Sequence, residues 1–222
     1  MSCFSQQKPT AVFPQGKAAF LMNIQRNELH AVSTGRQTLE EWMLISKKIK
    51  KYTDCFHVRE PLWSFEELRT AIEFLQKEGV APEHIRLNIP EEKRNCFSGT
   101  GFHLKEAAAQ KPEQSLITGW SVHSREAARE KEQAGADYLF FGHVFSTDSK
   151  QDLRPRGLQQ LSIVARESRL PVIAIGGIMP EQVENCIRSG AAGIAVLSGL
   201  YEAEDPERQA CAYFTKLNKE GK

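Results

Sequence analysis

No run of apolar residues in this chain approaches the roughly 18 residues that a membrane-spanning helix needs. The formal net charge is only +1, so no broad electrostatic field favours nucleic acid or an anionic membrane as a partner. The first residues also lack the charged start and long apolar core of a signal peptide. These absences predict a cytoplasmic protein that binds neither nucleic acid nor membrane.

The chain is also poor in the patterns that mark disulfide frameworks and metal sites. Its five cysteines are odd in number and scattered, and none forms a Cys-x-x-Cys pair, which favours a reducing compartment. No pair of His, Asp or Glu residues has ligand spacing on one predicted element, and neither a Walker loop nor a Ser–His–Asp order is present. The residues therefore predict no zinc site and no other metal site.

What the sequence does contain is an alternation of strands and helices. A hydrophobic content of 41% and a charged content of 26% are typical of a soluble globular domain, and 222 residues are near the size of one α/β barrel. Eight predicted strands alternate with helices across residues 28–219, which favours a single (β/α)8 TIM barrel, with a doubly wound open sheet as the alternative. Residues 1–27 have no clean periodicity and are predicted to form an N-terminal extension. The predicted strands are Glu28–Ser33, Cys55–Glu60, Ile85–Ile89, Gly101–Leu104, Leu116–Val122, Tyr138–Phe145, Val172–Ile175 and Gly193–Leu197.

The last two predicted strands end in small residues, and this feature is the main functional signal in the chain. Glycine allows a ligand to approach the backbone closely, and two such strand ends placed side by side expose bare N–H groups. Phosphate is the anion that barrels usually bind at this place, and the alternative is a pair of tight turns in an ordinary α/β protein. The candidate phosphate-binding residues are Gly176, Gly177, Ser198 and Gly199.

His123 is the candidate catalytic residue, as a general base. It follows predicted strand five and directly precedes Ser124, which is expected to cap the next helix. Side chains alternate along a strand, so Ser121 and His123 should lie on the same side, with His123 over the barrel mouth. The alternative for His123 is a surface histidine at a helix cap. Three further histidines lie within predicted strands and are expected to be core or rim residues: His30, His57 and His103.

Five other residues are candidates for substrate binding, and one of them is Ser121, on the same side of strand five as His123. Arg59, at the end of strand two, is placed to grip a carboxylate, or else it pairs with its neighbour Glu60. His143, late in strand six, either lines a pocket or packs in the core. The polar loop that follows is rich in hydroxyl groups and either folds over a ligand, through Thr147 and Lys150, or is a solvated linker.

Five motifs together resemble the thiamine phosphate synthase superfamily. The likeness covers about residues 28 to 217 and implies a (β/α)8 barrel, in agreement with the alternation of elements. The motifs are FHVRE (56–60), GWSVHS (119–124), ADYLFFGHVFSTDSK (136–150), PVIAIGGIMPEQV (171–183) and GAAGIAVLSGLY (190–201).

Members of that superfamily differ in whether they hold magnesium. The synthase joins a thiazole phosphate to a pyrimidine pyrophosphate with Mg²⁺, and its third strand supplies an Asp directly after an Asn. Here Asn88 is followed by Ile89, and the second acid, expected a few residues beyond His103, is missing from the segment LKEAAA. Glu106 is the one displaced substitute, and Lys150 matches a lysine on the pyrophosphate side of the synthase.

The chain resembles the TenI-type thiazole tautomerase more closely than the synthase. The residues that carry this likeness are Ser-Val-His at 121–123 and Gly-His-Val-Phe at 142–145. The likeness implies an isomerase that needs no cofactor and no metal and that aromatises a carboxylated thiazole phosphate by proton transfer through His123. The phosphate would lie in the strand-end cup and the carboxylate on Arg59. The family also implies a homodimer. The alternatives are an Mg²⁺-dependent thiamine phosphate synthase and a non-catalytic regulator or binding protein on the same scaffold.

Overall fold

A computed structural model describes residues 27–147 and 153–218 of the chain. The predicted N-terminal extension therefore lies outside the described residues except for Asn27. The side-chain amide of Asn27 donates a hydrogen bond to the carbonyl of Leu217 at 2.9 Å, which ties the start of the barrel to the end of its last helix. None of the helices in the described part of the chain has both the length and the apolar character needed to cross a membrane.

Eight parallel strands close into a barrel in which each strand pairs with the next, and the last pairs with the first. The predicted TIM barrel is confirmed, and the alternative of an open sheet is excluded because the β8–β1 pairing leaves no edge. The strands are β1 (Glu28–Val32), β2 (Cys55–Val58), β3 (Ile85–Leu87), β4 (Gly101–Leu104), β5 (Thr118–Val122), β6 (Tyr138–Gly142), β7 (Val172–Ile175) and β8 (Gly193–Val196).

Helices surround the barrel, and local sequence signals fix where several of them begin. Ser64 and Glu67 form the predicted capping box, in which each side chain accepts the other's backbone N–H, and Asp205 caps the last helix through the N–H of Arg208. The α-helices are α1 (Leu39–Ile49), α2 (Phe65–Lys77), α3 (Glu91–Arg94), α4 (Arg125–Gln133), α5 (Gly157–Glu167), α6 (Val183–Arg188), α7 (Ser198–Tyr201) and α8 (Pro206–Leu217). Within the described ranges, 3₁₀ turns are present at Lys50–Tyr52, Pro82–His84 and Pro180–Gln182.

The strands alternate between an outer and an inner face. Outward side chains such as Leu29 and Ala31 pack with the helices in the large core between barrel and shell. Inward side chains form a separate, smaller core inside the barrel, which includes Tyr138, Phe140 and Ile173. The barrel is therefore a packed core and not a pore, as in other barrels of this type.

Several strands are shorter than predicted at their carboxyl ends. Beyond Gly142 the N–H groups of Val144 and Phe145 still donate to carbonyls at the end of β7, but Arg156 and Gly157 return to donate to His143 and Val144. Residues 143–145 thus form a loop bonded on both sides and not a continuation of β6. The predicted strand ending at Leu197 stops at Val196, and the next residues form the short helix α7.

Candidate active site

A cavity of about 230 Å³ opens at the carboxyl ends of β7 and β8. This is the end of a barrel at which the loops after the strands form active sites. The cavity contains all four of the predicted phosphate-binding residues, together with two of the predicted loop residues, His143 and Thr147. Its lining is formed by His143, Thr147, Ile175, Gly176, Gly177, Ile178, Met179, Ala195, Val196, Leu197, Ser198 and Gly199.

Backbone donors are the main polar groups that these two strand ends present. Among the described residues no carbonyl accepts a hydrogen bond from the N–H of Gly176, Gly177, Ser198 or Gly199. Unpaired N–H groups carry partial positive charge, and several of them converging on one cavity bind an anion. The lining residues in the described part of the chain include no acid that would repel one. The geometry therefore suits a phosphate group.

The two glycines after β7 are required by the protein's own backbone, a reason that sequence analysis missed. Gly176 and Gly177 have φ values of +99° and +66°, a region that L-residues rarely adopt. A Cβ at Gly176 would overlap the side chain of His143, and a Cβ at Gly177 would overlap the carbonyl oxygen of Ser146. The glycines thus let the loop after β6 lie directly against the end of β7, which brings that loop to the cavity.

His143 both packs and lines the cavity, so the two alternatives for it are not exclusive. Its side chain is buried, and its Nε2–H donates a hydrogen bond to the carbonyl of Leu153 at 3.1 Å. This bond holds the imidazole between the loop and the end of β7. Thr147 is half-buried at the same cavity. Lys150 lies outside the described residues.

His123 is half-buried just beyond β5, with its ring fixed in orientation. Its Nδ1 lies 2.6 Å from the carbonyl oxygen of Gly142, and only a nitrogen that carries a hydrogen can donate there. When the imidazole is neutral, Nε2 is therefore the atom with the free lone pair. The backbone N–H of His123 donates to the Glu106 carboxylate at 2.8 Å. Neither residue lines the cavity, but Gly142 directly precedes His143, which does.

Ser121 is half-buried, and its side chain contacts the barrel interior. Its hydroxyl lies 2.9 Å from Nε2 of His103, whose Nδ1 is 3.0 Å from the hydroxyl of Tyr138. Burial, together with the charges of His30 and Arg86, lowers the pKa of His103 to about 3. His103 is thus a neutral, hydrogen-bonded core residue, as predicted. Ser121 is engaged with it.

Arg59 is exposed at the end of β2, and its guanidinium donates to the carbonyl of Thr34 at 2.9 Å. It does not line the cavity. Glu60 is buried and accepts the N–H of Gly35 at 3.1 Å. Burial raises the pKa of Glu60, while hydrogen bonds from Ser33 and Gly35 oppose that rise. Arg59 therefore does not contact the cavity. Within the described residues it also forms no direct ion pair with Glu60.

The position that carries the acid in the synthase motif is occupied by a core residue. Ile89 is only 5% exposed and packs in the outer hydrophobic core. After β4, Glu106 is half-buried and already accepts the N–H of His123. Mg²⁺ prefers carboxylate and other oxygen ligands, but one motif position holds Ile89 and the segment after β4 offers only the displaced Glu106. The described residues do not fit the two-acid magnesium clamp.

A second set of polar residues lies inside the barrel and escaped sequence analysis as a group. His30, Cys55 and His57 are all buried, and their ligand atoms lie within 4.8 Å of one another. Burial alone would lower the pKa of His30, but its interactions with Cys55 and then with Glu28 raise it to about 9. Burial, followed by the positive charge of His30, lowers the pKa of His57 well below its usual range. The signal for this group was alternation: residues 28 and 30, and residues 55 and 57, face inward from adjacent strands.

Comparisons with known proteins place this architecture in a family. A family model described as thiamine monophosphate synthase matches residues 101–200. The chain is 32% identical over 188 residues to the thiamine-phosphate synthase of Natronomonas pharaonis, which is 79% of this chain and 85% of that protein. It is 35% identical over 187 residues to the thiamine-phosphate synthase of Syntrophomonas wolfei, covering 79% and 87% of the two chains. The fold is similar to that of thiamine phosphate pyrophosphorylase from Pyrococcus furiosus, with a TM-score of 0.72, 23% identity and coverage of 88% and 97%.

These relatives overturn the expectation of a thiazole tautomerase, because they are named as synthases, which are transferases and not isomerases. The two motifs that carried the expectation have structural explanations. His123 is bonded to Gly142, and His143 is bonded to Leu153, so both motifs help to hold the loops of the shared barrel. They do not by themselves specify a reaction. The chain therefore belongs to the thiamine monophosphate synthase family of thiamine-biosynthesis enzymes.

Proposed function

We propose that the chain is a transferase of the thiamine-phosphate synthase type, which joins a thiazole phosphate to a pyrimidine pyrophosphate and releases pyrophosphate. The relatives of that name, which align with this chain over 85% and 87% of their lengths, support the proposal. The observation that carries it is the cavity at the ends of β7 and β8, which is lined by four residues whose backbone N–H groups have no carbonyl partner among the described residues.

In this proposal the phosphate of the thiazole lies against Gly176, Gly177, Ser198 and Gly199. Uncharged backbone donors held by a rigid barrel need no rearrangement to bind an anion, so binding also orients the attached ring. Thr147 and His143 line the same cavity and are proposed to contact the remainder of the substrate. His123 is proposed to orient the second substrate through Nε2, the nitrogen that its bond to Gly142 leaves available.

The residues present do not fit the two-acid magnesium clamp implied by the resemblance. Ile89 replaces one acid, and Glu106 is the one carboxylate found after β4. We therefore derive no step through a metal ion. The chain's own residues bind and orient the thiazole phosphate, and the departing pyrophosphate must be stabilised by groups other than a pair of acids.

The test is a direct assay of coupling. The purified chain is mixed with thiazole phosphate and pyrimidine pyrophosphate over a range of Mg²⁺ concentrations, and thiamine phosphate and pyrophosphate are quantified together. We expect equal amounts of the two products, and loss of both when thiazole phosphate is omitted. If no thiamine phosphate forms at any Mg²⁺ concentration, the proposal is wrong.

A non-catalytic thiazole phosphate-binding protein is the second candidate, and Ile89 is the observation that favours it. Such a protein needs the cavity but not the metal-holding acid. Calorimetric titration with thiazole phosphate distinguishes the two: binding without turnover in the coupling assay supports the second candidate. The homodimer implied by the resemblance also stays a prediction, and light scattering on the eluting protein measures it.

A further inference from the structure

The interior of the barrel gathers three side chains that are strong ligands for transition metals. Nδ1 of His30 lies 3.0 Å from Nε2 of His57, and Sγ of Cys55 lies 3.6 Å from the same nitrogen. All three residues are at most 2% exposed. Among the described residues this is the one group of three or more His, Cys, Asp or Glu side chains close enough together to hold an ion.

The tautomer of His30 is set by an acid behind it. Nε2 of His30 lies 2.9 Å from the carboxylate of Glu28, which can only accept, so this nitrogen carries the hydrogen. The neutral form of His30 then presents the lone pair of Nδ1 toward His57 and Cys55. A carboxylate that orients a histidine in this way is the usual second layer of a metal site, because it fixes the ring and strengthens the ligand.

His57 is arranged in the complementary manner. Its Nδ1 is buried and has no hydrogen-bond partner within the described residues, and the same is true of Oδ1 of Asn88. The Asn88 side chain is nevertheless close enough to favour the protonated form of His57. A small rotation that lets Nδ1–H of His57 donate to Asn88 would satisfy both atoms. It would also leave the lone pair of Nε2 directed at His30 and Cys55.

We propose that His30 Nδ1, Cys55 Sγ and His57 Nε2 bind a divalent transition-metal ion of the zinc class inside the barrel. Tetrahedral coordination with Zn–N bonds of about 2.05 Å and a Zn–S bond of about 2.3 Å places ligand nitrogens about 3.3 Å apart and nitrogen and sulfur about 3.6 Å apart. The observed separations of 3.0 and 3.6 Å are already near these values. Thiolate and imidazole select zinc, cobalt or copper over magnesium or calcium. Three protein ligands leave the fourth position to a water molecule.

Binding exchanges protons for the ion. The metal takes the place of the hydrogen between the two imidazole nitrogens and of the thiol hydrogen of Cys55, and these protons pass to solvent. Because the site is enclosed by the closed barrel, the ion enters while the chain is still open. Loading is therefore coupled to folding, as in other buried metal sites.

The test is refolding with cobalt, which shows its ligands in the visible and near-ultraviolet spectrum. The chain is unfolded in urea with reductant and chelator. The reductant and the chelator are then removed, and the chain is refolded with or without Co²⁺. We expect one Co²⁺ per chain, absorption bands of tetrahedral cobalt, and a thiolate-to-cobalt band. Added Zn²⁺ during refolding should abolish these bands by competition. A folded chain that shows no cobalt bands would overturn the proposal.

Two cysteine variants assign the thiolate. Cys55→Ala should refold without the thiolate-to-cobalt band, whereas Cys186→Ala, which removes an equally buried thiol in the outer core, should retain it. Persistence of the band in Cys55→Ala would show that another cysteine holds the ion, and the site would be wrong. If Cys55→Ala does not fold, X-ray absorption on the zinc-refolded wild-type chain decides. Two nitrogens and one sulfur support the site, and a shell with no sulfur or with several sulfurs contradicts it.

Glu28 offers a test of the second layer. Glu28→Gln keeps an oxygen that accepts from Nε2 of His30 but removes the negative charge. We expect a 10–100-fold loss of Co²⁺ affinity with the spectrum preserved, as is usual for such positioning residues. A purely structural role for Glu28 would change the melting temperature without changing the affinity of the refolded chain for cobalt.

Discussion

The two halves of the barrel interior differ in chemistry, although the same alternation of residues produces both. The strands on one side of the barrel place titratable side chains inside. The strands on the other side place apolar side chains inside, and the cavity at the ends of β7 and β8 opens above these. We call the two sides the polar half and the apolar half. The polar half consists of Glu28, His30, Cys55, His57, Arg86 and His103. The apolar half consists of Phe140, Ile173, Ile175 and Ala195.

The comparison shows two ways of handling charge in a place without water. In the polar half, side chains bond to one another: Glu28 to His30, His30 to His57, and His103 to Tyr138. Burying these groups costs free energy unless each finds a partner. In the apolar half, side chains contribute only shape, and the donors for an anion come from backbone at the strand ends. An incoming phosphate therefore does not compete with the internal network.

The largest expected effect is that of Gly119→Ala, which disturbs the packing between the two halves. A Cβ at Gly119 would overlap the ring of Tyr138, which stands between the halves and is held by His103. We expect a loss of about 3 kcal/mol of stability, because overpacking a rigid core displaces several side chains. Urea denaturation measures it. Ala195→Gly, which removes one methyl group from the apolar half, is the matched control and should cost only about 1–2 kcal/mol. Equal losses would show that the interior is not rigid at Gly119.

Much of this fold follows from patterns that are local in the sequence. Val172–Ile175 is a continuous apolar run with glycines after it, and its bounds agree with the strand observed. The capping box at Ser64 places the start of α2 correctly. Strand ends were less predictable, because apolar residues such as Val144 continue the strand pattern while pairing with the loop beyond β7 ends the strand. Those partners are distant in sequence and leave no local signal.

Sequence analysis predicted the part of the interior that depends on backbone groups at strand ends. It missed the part that depends on side chains brought together from different strands. Small residues after two adjacent strands identified the cavity. The cluster of His30, Cys55 and His57 was not anticipated, since the expectation of no zinc site rested on spacing within single elements. The family motifs led to the correct superfamily and to the wrong reaction. A residue that holds loops of the shared barrel in place, such as His123, does not by its presence in a motif specify the reaction.

The next largest effect is the acid sensitivity contributed by His103. Its pKa in the folded chain is lowered to about 3 from an ordinary value of 6.5, first by burial and then by the charges of His30 and Arg86. Between these values the unfolded chain binds a proton that the folded chain does not, so stability falls as the pH falls. In the metal-free protein, His103→Gln should reduce this fall by about 1.4 kcal/mol per pH unit between about pH 5.5 and 4.5.

Urea denaturation at several pH values measures this slope. Phe140→Leu is the control, because Phe140 packs against His103 with ring centroids 4.1 Å apart but has no titratable group. It should lower stability by a similar amount at every pH and leave the slope unchanged. An unchanged slope in His103→Gln would mean that His103 is charged in the folded chain.

A smaller effect is expected at the cavity. There, replacing Ser198 by Asp or by Asn compares two side chains of similar size that differ in charge. The side chain of Ser198 is exposed, so both Ser198→Asp and Ser198→Asn should leave the barrel folded. A carboxylate beside a bound phosphate costs about 1–2 kcal/mol in a partly hydrated site. Ser198→Asp should therefore weaken binding of thiazole phosphate roughly tenfold, and Ser198→Asn should weaken it much less. Calorimetric titration compares them. Equal affinities would place the phosphate away from the apolar half.

The smallest expected effect concerns Glu106, which stands at the end of β4 on the side of the polar half. Its carboxylate accepts the backbone N–H of His123 at 2.8 Å, and the side-chain oxygen of Gln can do the same. If Glu106 acts by holding His123 in place, Glu106→Gln should change the rate of thiamine phosphate formation less than about threefold, at every Mg²⁺ concentration. Glu106→Ala, which removes the acceptor, is the matched variant and should lower the rate further. A Glu106→Gln chain that needs much more Mg²⁺ would instead make this carboxylate a metal ligand. Mg²⁺ can be bound through a single protein carboxylate when substrate phosphates supply the remaining oxygens.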